Sequence, residues 1–223
     1  MKSRDGKPSD PWKYLKVGSA ALLCLALFAS PIGRAESHQR KQCDDDDGSW
    51  GNTWESIQET ARRVKGVRSR FVQKKHMKML KDPLISRGRL EFKAPREIRW
   101  EYTSPFRSLV VMRKGRADRY VWRDGRFVRD ADSESRAMHI VLQEVADWMK
   151  GDFTSSKSFD ATLKPGSPSM IVMKPREKAI KRFIEQITVT LSKTPGVIQK
   201  VEIIEQNEAT TTLEFTHSQV DRK

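Results

Sequence analysis

The sequence predicts an α+β fold, a curved antiparallel sheet whose apolar face is covered by helices. Three observations lead there. Ser86–Tyr102 (SRGRLEFKAPREIRWEY) alternates apolar and charged residues on both sides of Pro95. Turn signals of hairpin length recur along the chain. Helical spacing of apolar residues is confined to two stretches. Side chains on a strand change face at every residue, so Leu90, Phe92, Ile98, Trp100 and Tyr102 share one face. A face that rich in aromatic and aliphatic groups must be covered.

The first 35 residues stand apart. Lys2, Arg4, Lys7, Lys13 and Lys16 precede the apolar run Val17–Ala29 and the small residues Ser30, Gly33 and Ala35. This is the layout of a cleaved secretory signal peptide over 1–35, with cleavage after Ala35 or after Ser30. The run is well short of the roughly 20 residues that a membrane span needs. Cys24 follows Leu23 rather than a small residue, so the protein is not expected to be lipidated itself. The full chain carries a formal charge of +14, and removing 1–35, with six basic and two acidic residues, leaves +10. Such a charge favours anionic partners, membrane head groups among them, and export argues against nucleic acid. Cys43 is then the one remaining cysteine, so the fold must rest on its core and not on an internal disulfide.

Residues 36–51 are polar and aperiodic, with Asp44–Asp47 at their centre, and read as a flexible acidic lead-in. Four consecutive carboxylates without the glycine turn and distant glutamate of a calcium loop do not converge on one ion. The remainder, 52–223, reads as a single domain. Asn52 with Glu55 is a helix-start signal, and Trp54, Ile57, Ala61 and Val64 follow at helical spacing, predicting a helix over about 53–67. Phe71–Leu80 reads as a strand with Phe71, Gln73, Lys75, Met77 and Met79 on one face. The pair around Pro95 follows. Phe106–Arg113, apolar on both sides through Leu109, Val110, Val111 and Met112, reads as a central covered strand. Lys114-Gly115 and Asp124-Gly125 are hairpin turns around Arg119–Trp122, so this half is a meander.

Asp132–Lys150 breaks the strand pattern. Met138, Val141, Leu142, Val145, Trp148 and Met149 mark one helix face that stops at Gly151. The stripe suits plain core packing, and also the cover of an adaptable apolar site, because thioethers repack readily. Strands return at Phe159–Leu163, Met170–Met173, Gln186–Lys193, Ile198–Glu205 and Thr210–Thr216, with Pro175–Glu185 as a short crossover.

No catalytic constellation emerges. His38, His76, His139 and His217 lack metal-ligand spacing, and nucleophile-elbow, P-loop and dinucleotide fingerprints are missing. The expectation is a binding protein and not an enzyme, without metal or cofactor.

With these residues in view, the chain resembles the periplasmic outer-membrane lipoprotein carrier proteins of the LolA type over about 54–217. A helix leads into F-x-Q (Phe71, Gln73). G-x-L-x-F-K-x-P follows (Gly88, Leu90, Phe92, Lys93, Pro95), then R-W-E-Y (Arg99 to Tyr102) and Pro105. A K-G turn (Lys114, Gly115) and an aromatic strand (Tyr120, Trp122) come next. P-G-x-I-x-K-V-E-I-x-E-x-N (Pro195 to Asn207) and T-x-L-x-F (Thr211, Leu213, Phe215) close the match.

The resemblance implies an unclosed (half) β-barrel, lined by aromatic and aliphatic side chains, with helices as a lid over its concave face. It implies a periplasmic carrier that shields the acyl chains of lipoproteins between an inner-membrane exporter and an outer-membrane acceptor; the size of the chain suits a monomer, and its basic charge suits transient contact at an anionic membrane surface. On this expectation the lining is Phe71, Leu90, Phe92, Ile98, Trp100, Tyr102, Val110, Met112, Tyr120 and Trp122, with Met138, Leu142, Val145, Trp148 and Met149 from the lid. Trp54 and Ile57 are further lid candidates. Family members carry an arginine just before the proline that latches the lid, and Ala94 stands there in this chain. Arg96 and Arg99 are the candidate substitutes. The chain stops at Lys223, without the long C-terminal segment of some carriers, which points to a different cargo such as a glycolipid or pigment. Two alternative readings are a lipid-sensing regulatory domain and a basic protein acting at an anionic membrane surface.

Overall fold

The computed structural model describes residues 51–130 and 136–222, with backbone only at 136–141. The expected signal peptide, Cys43 and nearly all of the acidic lead-in lie outside the described residues, as does the Met138 side chain.

Two meanders make one sheet. The first runs through β1 (Val64–His76), β2 (Leu84–Lys93), β3 (Glu97–Ser104), β4 (Ser108–Arg113), β5 (Arg116–Arg123) and β6 (Arg126–Arg129). The second runs through β7 (Phe159–Lys164), β8 (Met170–Pro175), β9 (Ile184–Leu191), β10 (Ile198–Glu205) and β11 (Thr210–Arg222). They join where β11 pairs with β1, giving an 11-stranded antiparallel sheet in the order β6-β5-β4-β3-β2-β1-β11-β10-β9-β8-β7. The sheet is not closed. Helix α2 (Arg136–Trp148) connects the two terminal strands β6 and β7, so the chain crosses the open side of the sheet on this helix. Helix α1 (Trp54–Arg62) precedes β1, and the short α3 (Lys178–Lys181) joins β8 to β9. No helix among the described residues is long and apolar enough to cross a membrane.

Local chemistry explains the punctuation. Lys114 and Gly115 have φ of 49° and 74°, and Asp124 and Gly125 have 49° and 77°, the positive pairs that two-residue hairpins need. Gly151, at φ 75°, ends α2: its N–H donates to the Trp148 carbonyl at 2.9 Å, and the Asp152 N–H reaches the Asp147 carbonyl at 2.9 Å. These are the paired bonds of a glycine-capped helix end.

Several expectations need correction. The first helix is shorter than 53–67 and is capped by Thr53, whose Oγ1 accepts from the Ser56 N–H at 3.2 Å. Asn52 instead accepts from the Ser169 hydroxyl at 2.6 Å, tying the chain entry to the β7–β8 turn. Val64 opens β1 and does not continue the helix: the β-branched Val64 and Val67 favour strand, Val64 pairs with Arg222 of β11, and from Gly66 onward the strand pairs on both β2 and β11. Met77 and Met79 lie beyond β1, and Met79 is 94% exposed. Strand β4 is third from one end of the sheet and not central. The Pro175–Glu185 crossover is short as expected, with four helical residues, Lys178–Lys181. Strand β11 runs past Thr216 to Arg222 across a register shift at which His217 takes φ 52°.

Candidate functional site

Strand register defines the concave face. Leu90 pairs with Trp100, Phe92 with Ile98, Trp100 with Val110 and Ile98 with Met112, so these side chains project to one side. Val67, opposite Phe92, and Phe71, opposite Gly88 and Phe215, extend the face across β1 to β11. Phe71 is its hub. Its ring centroid lies 5.3 Å from Trp100, 5.2 Å from Tyr102 in an edge-to-face pair at 84°, and 6.2 Å from Phe215. Gly88 makes room for that ring: a Cβ there would run into the Phe71 ring and the Glu101 carbonyl.

One rim of the face is polar. The Tyr102 hydroxyl donates to Gln73 Oε1 at 2.8 Å, and buried Lys75 holds Glu205 at 2.8 and 3.0 Å, with Thr211 adding a 3.2 Å hydrogen bond. Inward-pointing polar residues on strands carry a desolvation cost, which these partners offset. In the apolar part, the Trp100 indole N–H is buried and has no acceptor among the described residues.

The cover comes from both helices. Ile57 and Ala61 of α1, and Leu142, Ala146 and Trp148 of α2 with Met149 just beyond it, are buried in the same core as the concave face. Phe153, just past Gly151, is fully buried, stacks on Trp148 at 6.3 Å with 12° between planes, and meets Trp54 at 6.3 Å. The helices touch at Gly151, where a Cβ would collide with Ala61 and the Ile57 carbonyl.

Polar contacts hold α2 down. Arg96, on the β2–β3 turn, donates to Asp147 Oδ1 at 3.1 Å, and Lys150 reaches the same oxygen at 2.6 Å. Buried Glu144 accepts from the Ser156 hydroxyl at 2.9 Å. Burial raises the Glu144 carboxyl above its ordinary value, and nearby Asp147 adds to the rise; hydrogen bonds from Ser156 and Ser158 oppose it. The Trp148 indole also eases the charge slightly, although its N–H makes no hydrogen bond of good geometry.

Phe71, Leu90, Phe92, Ile98, Trp100 and Met112 are brought together with Leu142, Trp148 and Met149, and Tyr102, Val110, Val145 and Trp54 pack half-buried against them. Tyr120 and Trp122 are a correction. Met112 pairs with Ala117 and Val110 with Arg119, so Ala117, Arg119 and Val121 face inward, while Tyr120, opposite Leu109, and Trp122 face outward. Arg99 also points outward, to Glu101 at 2.9 Å, and it is Arg96 that reaches the helix. Phe153, Val67 and the second-meander residues Ile171, Met173, Ile187 and Val189 share the core, and Phe215 packs half-buried against it, although none was expected to line the site. The parity of Leu213 and Phe215 was the signal for that half, whereas Phe153 stands isolated among polar residues. No group of three or more His, Cys, Asp or Glu among the described residues is arranged to hold a metal ion.

The family model for the outer membrane lipoprotein carrier protein LolA matches residues 62–223. No curated protein matches the chain significantly. Among solved structures it is similar to a DUF1329 family protein from Desulfovibrio piger, with 8% identity over 75% of this chain and 90% of that one, at a TM-score of 0.40. A LolA superfamily protein from Nitrosomonas europaea is 10% identical over 77% and 94%, at 0.37. The MucA/MucB complex of Pseudomonas aeruginosa gives 13% identity over 75% of this chain, at 0.43; there the match spans 56% of the solved chain, about half its length.

Proposed function

The chain belongs to the LolA family of outer membrane lipoprotein carrier proteins, and from that premise we propose that it is a carrier of acyl-chain-bearing cargo. Residues 52–223 would be its single carrier domain, acting in the periplasm after removal of 1–35. The cargo is an acylated lipoprotein or a related lipid, received from an inner-membrane exporter and passed towards an outer-membrane acceptor. The observation that carries this reading is the concave apolar face roofed by a helix whose own apolar side chains fill it.

The energetics suit reversible carriage. Burying a 16-carbon acyl chain is worth roughly 12 kcal/mol at ~0.8 per methylene, too much for free diffusion through water. Leu142, Trp148, Met149 and Phe153 already occupy the concavity, and burial of each is worth about 1.5–3 kcal/mol, about 6–12 in total. Exchanging lid for cargo is therefore a near-balanced trade, so the cargo is held and still released. The unpartnered Trp100 N–H would find its acceptor in an acyl ester carbonyl.

Titration with a fluorescent acylated peptide tests the reading. Saturable binding at one site per chain is expected, weakened at least tenfold in Ile98→Asp and enhanced in Trp148→Ala, which weakens the competing lid. Binding unaffected by both substitutions would refute it.

A further inference from the structure

The outer face of β3–β6 carries chemistry that the concavity does not use. Trp122 is 38% exposed there, its ring meets Phe127 edge-on at 4.9 Å, and the Arg107 guanidinium lies 3.9 Å from its ring centroid. Phe106, in the turn before β4, is 54% exposed. The same face continues past Tyr120 into a groove of about 520 Å³ at the β4–β5 turn. Arg113, Lys114 and Arg116 line it, exposed and without a side-chain partner among the described residues. Of the other charged lining residues, Arg129 is spent on Asp118 at 2.7 Å, leaving Glu97 against three cations. Segment 105–130 as a whole carries eight basic and three acidic residues.

Tyr120 lies opposite buried Leu109, but Trp122 and Phe127 belong to no part of the hydrophobic core, and a solvated outer face would be polar there. Aromatic rings mixed with arginine and lysine are what the boundary between phosphate head groups and acyl chains selects: rings sit at head-group level and cations above phosphates. A second copy of the chain is a poor occupant, because a two-fold contact would set these cations against themselves.

We propose that the outer face of β3–β6, from Trp122 to the Arg113–Arg116 groove, docks the protein on an anionic phospholipid bilayer. Docking there leaves α2 and the concave face turned away from the bilayer, free for cargo and a protein partner. The inference stands on the outer face alone and does not depend on what the concavity binds.

Co-sedimentation with phosphatidylglycerol and with phosphatidylcholine vesicles, at low and high salt, tests it. Binding to phosphatidylglycerol at low salt only is expected. Arg113→Ser/Lys114→Ser/Arg116→Ser should weaken it about a hundredfold, each cation near the surface contributing about fivefold. Trp122→Ser should weaken it further. Lys178→Ser/Lys181→Ser/Arg182→Ser removes the same charge from exposed positions at α3 and should change binding less than about twofold. Equal losses in the two triple variants, an unaffected groove variant, or concentration-dependent self-association through this face would overturn the proposal. All the substituted groove residues are exposed, so an unchanged melting curve is expected and separates docking from folding.

Discussion

Arg96 and Asp147, 51 residues apart in sequence, are joined by a 3.1 Å hydrogen-bonded ion pair that links the β2–β3 turn to α2. The pair sits where the concave face meets its cover. Arg96 remains about half exposed whereas Asp147 is mostly covered. An exposed pair contributes under about 1 kcal/mol, so it biases the position of α2 without holding the fold. Arg96→Ala should lower global stability by less than ~1 kcal/mol while speeding hydrogen exchange of α2 amides severalfold. Arg99→Ala should leave α2 exchange unchanged, because Arg99 serves Glu101 on the outer face.

Gly88 is predicted to be intolerant. An alanine methyl would press into both the Phe71 ring and the Glu101 carbonyl, and neither can give without displacing β3 or the aromatic hub. Gly88→Ala should cost about 2–3 kcal/mol in urea unfolding, with loss of the near-ultraviolet aromatic signal.

Glu144 makes the cover pH-sensitive. Its folded-state pKa is raised, chiefly by burial, so its contribution to stability is full below its unfolded value and is lost as pH rises through the raised folded value. At neutral pH the charged carboxylate therefore works against the closed arrangement. Glu144→Gln, which can still accept from Ser156, should raise the urea midpoint at pH 7 and leave it nearly unchanged near pH 4. A midpoint lowered at both values would show that the hydrogen bond outweighs the burial cost.

Lys75 and Glu205 should behave as a coupled unit. Removing the buried cation alone strands a largely covered carboxylate, so Lys75→Ala should cost about 2–4 kcal/mol, the upper end tempered because Glu205 retains some solvent contact. Lys75→Met with Glu205→Leu should recover most of that loss. The double-mutant cycle by urea denaturation measures the coupling.

Much of the architecture was legible from alternation. Leu90, Phe92, Ile98 and Trp100 show their common face because each strand is solvated on its other side. The helix face at Leu142, Val145 and Met149 was legible for the same reason at period 3.6. Tyr120 and Trp122 were misplaced because their size outweighed their parity. The Lys114-Gly115 turn has two residues, so Arg113 must oppose Arg116 and Met112 must oppose Ala117, which puts the even-numbered aromatics outside. That count was available from the turn alone. The start of β1 was harder: Val64 continues a helical spacing, and only pairing with the distant Arg222 of β11, with β2 joining from Gly66, makes it strand. Arg96 gave no sign of its partner, because contacts between a turn and a distant helix leave no periodic trace.

On the proposed function, the concave face binds an acyl chain in exchange for its helical cover. Native mass spectrometry of protein purified from a secreting host, followed by lipid extraction, tests it most directly. A one-to-one adduct whose extract contains acyl chains is expected, with loss of that adduct in Ile98→Asp, which places a charge at the floor of the concavity. An unliganded mass that acquires no adduct when acylated peptide is supplied would contradict it.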